Sequence, residues 1–291
     1  MDVTLLKVIV LAIVQGLAEL LPVSSSAHVV VAEKLMGLDP SSPPMTLLLV
    51  MLHTGTMLAV ILYFWREWRA IYFQSMAAFR SFLWLVVVAT LFTGAIGEGI
   101  VKVIERTVLR AVPHAQIEDL FSHLEFIAPA LAAAGILIVI AGALERRRSA
   151  AGRGATQDLD TRRAGLIGAV QGLCLPFRGF SRSGATISTG MLLGVAKPRA
   201  EAFSFALAVV LTPPVVAREL LRLRDAAHAG SGADLSSVAL LTILGAVVAL
   251  LAGLLALKWL SRWLESGRWY LFGIYCLAAA AGVALLHRAG Y

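Results

Sequence analysis

Six stretches of this chain are long and apolar enough, or nearly so, to cross a lipid bilayer: residues 45–65, 81–97, 126–144, 203–217, 236–257 and 269–286. None of them contains Asp, Glu, Lys or Arg. A bilayer core about 30 Å thick calls for roughly 17–25 apolar residues in a spanning helix. Only helices and closed barrels satisfy every backbone group in that medium. The chain is therefore expected to be an all-α, polytopic integral membrane protein with about six spanning helices, forming one transmembrane domain over residues 1–291. The stretch 203–217 is the shortest and carries Pro213-Pro214, which a membrane helix tolerates when neighbours satisfy the freed carbonyls.

Composition agrees with this reading. Of 291 residues, 59% are hydrophobic and 15% charged, with a mean hydropathy of +0.82. Soluble domains average about 45–50% and about 25%. A disordered chain, a rod and a disulfide scaffold are excluded, and a soluble enzyme is disfavoured. The net charge of +7 does not point to nucleic acid. The basic residues sit in short stretches between apolar runs, as in Glu145-Arg146-Arg147-Arg148 and Arg162-Arg163, which is the pattern of the positive-inside rule. Cys174 and Cys276 lie in apolar surroundings and read as buried small residues.

Two further regions are apolar but broken. In the first, residues 8–18 and 23–32 flank Glu19 and Pro22; in the second, residues 164–177 and 184–196 flank a polar turn. Segments of about 10–14 residues suit re-entrant half-helices. The two regions also repeat one another: Ala12-Ile13-Val14-Gln15-Gly16-Leu17 matches Gly168-Ala169-Val170-Gln171-Gly172-Leu173, each followed by a proline and a Ser-rich turn. The second turn is one residue longer. The repeat divides the chain into halves of about 1–150 and 160–291, each a re-entrant hairpin plus three spans, and the odd span count makes the halves inverted. Residues Arg66 to Arg80, Arg146 to Arg163 and Lys258 to Arg268 then share one side. The hairpins enter from opposite sides and their tips can meet near the midplane, the place where paired broken segments form a binding site. Residues 98–125, with Lys102, Glu105, Arg106, Arg110, Glu118 and Asp119, read as an amphipathic outer segment, and 218–234 as the other outer loop.

The tips hold the chemistry. Glu19 is the carboxylate most deeply embedded in apolar sequence, and intramembrane ionisable residues are functional candidates by default. Gln15 lies one turn earlier on the same face. Ser24, Ser25 and Ser26 stand at the start of the second half-helix, where free amides and the helix dipole favour an anion, and His28 follows one turn on. Across the repeat, Ser181, Arg182 and Ser183 precede Thr186. An Arg there either calls for an anionic ligand, with phosphate oxygens suiting its fork, or pairs with Glu19. Hydroxyls, an Arg, a His, a Glu and two helix starts fit phosphoryl transfer from a membrane-embedded diphosphate. His53, inside a span near Thr54 and Thr56, reads as a helix-packing residue. Trp and Tyr residues at Tyr63, Trp65, Trp68, Trp259, Trp263, Trp269 and Tyr270 read as interfacial anchors.

At these two segments the sequence resembles the undecaprenyl-diphosphate phosphatase family of bacterial membranes, the bacitracin-resistance type. The motif (Glu/Gln)-Gly-x-x-Glu followed by Pro-Val-Ser-Ser-x-x-His is met by Gln15, Gly16, Glu19, Pro22, Val23, Ser24, Ser25 and His28. The motif Pro-Gly-x-Ser-Arg-Ser-x-x-Thr is met by Gly179, Ser181, Arg182, Ser183 and Thr186, with Arg178 in place of the proline. The resemblance implies hydrolysis of undecaprenyl diphosphate to undecaprenyl phosphate, recycling the carrier for peptidoglycan synthesis and conferring bacitracin resistance. It also implies a divalent cation, Mg2+ or Ca2+, the bacterial inner membrane as location, and an active site opening to the periplasm. Carried over, His28, Ser25, Glu19 and Arg182 are the expected catalytic residues, with His28, oriented by Glu19, as nucleophile or as the base for Ser25. Ser24, Ser26, Ser181, Ser183, Thr186 and Arg178 are expected to bind the diphosphate, and Glu19 with Gln15 the metal. Gln15 stands where many members carry Glu, which puts a two-carboxylate metal site in question. The partners expected are the polyprenyl lipid, the bilayer and, less directly, a second copy of the chain. A lipid-phosphate transporter using the same site is the alternative. A phosphatidic-acid-type phosphatase fails, because neither His228 nor His287 has an Asp four residues on.

Overall fold

The computed structural model describes residues 4–38, 43–107, 123–152, 154–155, 159–228, 235–265 and 267–291, and among these it is helical with no strand. The first broken region forms α1 (Leu5–Leu20) and α2 (Ser25–Leu35), and the second forms α6 (Thr161–Cys174) and α7 (Arg182–Leu192). Between them run α3 (Pro43–Tyr72), α4 (Met76–Thr107) and α5 (Leu124–Ala150). After them come α8 (Lys197–His228), α9 (Leu235–Glu265) and α10 (Tyr270–Arg288). Among the described residues, five of these, α3, α4, α5, α9 and α10, contain stretches long and apolar enough to cross a membrane. Side chains such as Leu62, Leu91 and Leu255 stay exposed along them, which suits acyl chains and not water. The protein is a multi-pass membrane protein.

Some boundaries differ from the sequence reading. The sixth expected span lies in α8, which is helical through Pro213 and Pro214. Those prolines lack N–H groups and so free the carbonyls of Val209 and Val210. Residues 98–107, read as an outer segment, continue α4, and 218–228, read as loop, continue α8. Arg110, Glu118 and Asp119 lie outside the described residues. Trp68 and Trp269 are core residues rather than interfacial anchors: both are buried, with Nε1–H donating to Ala202 O and to Ser188 Oγ, each at 3.0 Å.

The internal repeat survives as packing. The broken helix α1 lies against α9, from the other half, and α6 lies against α4, again from the other half. Each contact is made at the glycine of the repeated Gln-Gly pair. A Cβ on Gly16 would meet Ala252 Cβ at 2.6 Å and Ala249 O at 2.7 Å; one on Gly172 would meet Thr93 O at 2.8 Å and Ile96 Cβ at 2.9 Å. The partners are themselves repeat-related, because Gly16/Gly172, Ala249/Thr93 and Ala252/Ile96 share one sequence separation. Small residues let helix backbones approach where no hydrophobic effect drives association.

Both half-helices that follow the breaks are 11 residues long and begin on a serine cap: Ser24 Oγ accepts from Ala27 N–H at 3.5 Å and Ser181 Oγ from Gly184 N–H at 3.2 Å. The extra residue in the second turn has a backbone consequence. The shorter first turn forces Ser24 to φ 70°, the sole non-glycine at positive φ among the described residues, whereas in the second turn Gly179 takes φ 102° and Ser181 keeps φ −48°. A left-handed serine costs of order 1–3 kcal/mol. It persists because the surroundings over-determine it, and it sits beside Ser25. At the far end of α7, Arg148 of α5 donates to Met191 O and Leu192 O, both at 3.0 Å, and Lys197 pairs with Glu145 at 3.0 Å. The basic end of α5 thus ties down the last turn of α7 and the first turn of α8.

Candidate active site

The two turns touch. Gly179 N–H donates to Ser26 Oγ at 3.2 Å and Ser183 Oγ–H to Leu21 O at 3.5 Å. At their junction stands Glu19, in the last turn of α1, facing the first residues of both α2 and α7. Its Oε2 accepts from Ser25 Oγ–H at 2.5 Å and from Gln15 Nε2–H at 3.2 Å, and its Oε1 accepts from Arg182 Nη2–H at 2.7 Å. A carboxylate at a helix C-terminus is disfavoured by the dipole. Here two helix N-termini and a guanidinium oppose that effect. The second guanidinium nitrogen, Nη1, is buried with no hydrogen-bond partner. A buried unsatisfied donor costs about 1–3 kcal/mol, more when charged, so Arg182 retains capacity for an anion after pairing with Glu19. Both alternatives for Arg182 are thus compatible: the pair with Glu19 exists, and half of the fork remains.

A cleft opens beside the pair, lined by Glu19, Arg182, His53, Thr56, Val209 and Thr212, among others. His53 is the residue that sequence reasoning set aside. Its Nε2 stands 3.8 Å from Glu19 Oε2, and its Nδ1 lies 2.8 Å from Leu49 O. The signal that could have found it is the one applied to Glu19: an ionisable side chain inside a spanning segment is costly and seldom there for packing. Thr212, next to the α8 prolines, was likewise not singled out.

The other expected residues are distributed differently. His28 makes no contact with Glu19. Its Nδ1 is 2.7 Å from Ser24 O, a carbonyl that can only accept, so Nδ1 carries the proton. Its Nε2 is 2.7 Å from the Tyr275 hydroxyl, and the rings stack at 5.6 Å. Ser24 and Tyr275 orient His28, which corrects the expectation that Glu19 does so. Ser24 and Ser181 are occupied as caps, Ser26 receives Gly179, and Ser183 joins the tips. Thr186 is fully buried, donating to Arg182 O at 2.8 Å and within 2.5 Å of Ser204 Oγ, so it cements α7 to α8. Arg178 lies half-buried in the second turn. Gln15 turns its amide nitrogen to Glu19; the reverse orientation would set an amide oxygen against a carboxylate. It supports the carboxylate instead of offering a metal ligand at that point. Among the described residues no three His, Cys, Asp or Glu side chains form a metal cluster.

The comparisons agree with the motifs. The chain is 57% identical over 285 residues to "Undecaprenyl-diphosphatase 2" of Acinetobacter baylyi, covering 97% of this chain and 98% of that protein. It is 31% identical to "Undecaprenyl-diphosphatase" of Rhodopirellula baltica, over 97% and 98% of the two chains, and 35% identical to that of Desulfosudis oleivorans, over 92% and 93%. Residues 8–282 match the family described as Bacitracin resistance protein BacA. A match over that span, joining both broken helices and the site between them, makes this chain a member of the Bacitracin resistance protein BacA family.

Proposed function

We propose that this protein is a membrane phosphatase that hydrolyses undecaprenyl diphosphate to undecaprenyl phosphate and inorganic phosphate. The observation that carries the reading is the 2.5 Å hydrogen bond from Ser25 Oγ–H to Glu19 Oε2, with Arg182 on the other carboxylate oxygen. A separation of 2.5–2.7 Å is that of a charge-assisted O–H···O⁻ bond. Ser25 is the nucleophile and Glu19 its base: the carboxylate takes the hydroxyl proton as Oγ attacks the terminal phosphorus. The bond from that phosphorus to the bridging oxygen breaks, and undecaprenyl phosphate leaves with the bridging oxygen. Water then attacks the phosphoserine, releasing phosphate and restoring the serine. Arg182 Nη1 and the amides opening α2 and α7 take the charge on the diphosphate, where phosphoryl transfer gains most from positioning and electrostatics.

A divalent cation, Mg2+ or Ca2+, is part of the reading, and Glu19 is the side chain that would hold it. Such a cation supplies charge neutralisation at the transferring phosphoryl group. The inner membrane, with the site opening to the periplasm, is the proposed location, supported by the charge pattern; recycling the carrier for peptidoglycan synthesis and bacitracin resistance are the corresponding roles. The test is phosphate release by purified protein from undecaprenyl diphosphate, with and without chelator. Release that chelator abolishes and Ser25→Ala eliminates is expected. Full release by Ser25→Ala would overturn the assignment of the nucleophile, and no release by the intact protein would return the site to lipid-phosphate transport.

A further inference from the structure

We infer that His28 and Tyr275 are positioning residues for the nucleophile: the imidazole replaces a helix bond that the left-handed turn at Ser24 weakens, and Tyr275 of α10 holds the ring in place. The inference deepens the phosphatase reading, since it rests on Ser25 as the nucleophile. Three observations carry it.

The first comes from the internal repeat. Ser24 and Ser181 cap the two half-helices, and four residues on stand His28 and Ala185. In the second turn Ser181 has φ −48°, and its carbonyl accepts from Ala185 N–H at 2.8 Å, an ordinary first bond of a helix. In the first turn Ser24 has φ 70° and ψ 93°, and the corresponding bond from His28 N–H is stretched to 3.4 Å. The side chain makes up the loss, since His28 Nδ1 lies 2.7 Å from Ser24 O. The second turn needs no such help, and alanine stands there.

The second is the tautomer. Nδ1 donates to a carbonyl, so Nε2 of the neutral ring accepts from the Tyr275 hydroxyl at 2.7 Å. Both ring nitrogens are committed, while Ser25 Oγ–H goes to Glu19. The third is a double grip by α10. Next to Tyr275, Cys276 Sγ–H donates to Pro22 O at 3.5 Å, so α10 holds the chain on both sides of Ser24. A residue in a sparsely populated backbone region persists only when its surroundings over-determine it. Ser25 follows Ser24 directly, so the torsions at Ser24 set where Ser25 Oγ falls relative to Glu19. A displacement of about 1 Å at a reacting group can cost about 10²-fold in rate.

The test uses amide side chains as stand-ins for one ring nitrogen at a time. Asparagine places an N–H where histidine has Nδ1–H, and glutamine places its amide nearer Nε2. Phosphate release from undecaprenyl diphosphate is measured on the purified full chain in detergent. His28→Ala should lose about 10²-fold in kcat with KM little changed. His28→Asn should recover most of that loss and His28→Gln should not. Tyr275→Phe should lower kcat severalfold in the wild-type chain and have no further effect in His28→Asn, because a residue acting only through the imidazole is not additive with its removal. Asparagine no better than glutamine, full turnover in His28→Ala, or an undiminished Tyr275→Phe loss in the His28→Asn background would each overturn the inference. A second readout carries the test if the His28 variants do not fold. Imidazole 15N shifts of the histidine-labelled chain are recorded at about pH 8, above the reference value of about 6.5. Tyr275→Phe should displace the signal of one ring, and in wild type that ring should carry its hydrogen on Nδ1. No displaced signal, or a hydrogen on Nε2, would overturn the inference. Release by wild type with that tautomer wrong strikes the positioning role and leaves the phosphatase reading intact; the expected tautomer without release does the reverse.

Discussion

Gly16→Ala probes the link between helix packing and chemistry. The added methyl would lie 2.6 Å from Ala252 Cβ, 2.7 Å from Ala249 O and 3.2 Å from Gly253 N, contacts with backbone or with a side chain that has no rotamer to yield. Carbon atoms settle at about 3.5–4.0 Å, so α1 must move off α9 by about 1 Å. Overpacking of this kind costs about 1–3 kcal/mol, against a helix-propensity gain of about 0.8–1.0 kcal/mol for replacing glycine. Glu19 lies three residues further along α1, so the same displacement stretches its 2.7 Å bond to Arg182 out of the charge-assisted range. A misplacement of about 1 Å at a reacting group can cost about 10²-fold in rate. Gly94→Ala is the control: it is in α4, with nothing within 4 Å of the built Cβ. It should keep full activity and be more stable than Gly16→Ala by about 1–3 kcal/mol. Thermal unfolding in detergent and phosphate release on both variants read the two effects. Equal stability and equal turnover would refute the argument that the glycine contact sets the position of Glu19.

Two further outcomes are expected. Arg182→Lys should lose most activity although the charge is kept, because one ammonium cannot serve Glu19 Oε1 and an anion through separate, rigidly spaced nitrogens; near-normal turnover would reduce Arg182 to charge balance. Tyr275→Phe removes the hydroxyl on His28 Nε2 and should lower turnover far less than Glu19→Gln, since the proposed nucleophile and base, Ser25 and Glu19, are hydrogen-bonded to each other and not to His28; equal losses, measured at saturating substrate, would return His28 to the reacting centre.

Much of this protein is legible in the chain because the bilayer leaves few choices. Uncharged runs of spanning length must be helices, and all six expected spans lie in helices, five of them long and apolar enough to cross a membrane among the described residues alone. The two breaks were legible for the same reason, as Pro22 and the Ser-rich turns fall where each apolar run is too short to cross. The repeated Gln-Gly pair pointed to a relation between the halves, and Glu19 to a site, because a carboxylate in apolar sequence has no cheap explanation. What sequence could not assign is which hydroxyls face the ligand and which hold the turns together. Ser24, Ser26, Ser181, Ser183 and Thr186 look alike in a motif, yet each is occupied by caps, tip contacts or helix packing, while Ser25 alone among the motif hydroxyls reaches Glu19. The split depends on an angle around a helix start, set by the left-handed backbone at Ser24 and the extra residue before Ser181. His53 lies outside both motifs, 34 positions from Glu19, and only the packing of α1 against α3 brings their side chains within 3.8 Å. Local pattern determines where a membrane chain breaks and what chemistry it carries at the breaks; which groups meet is decided by helices that approach through glycine, where a single methyl changes the distance.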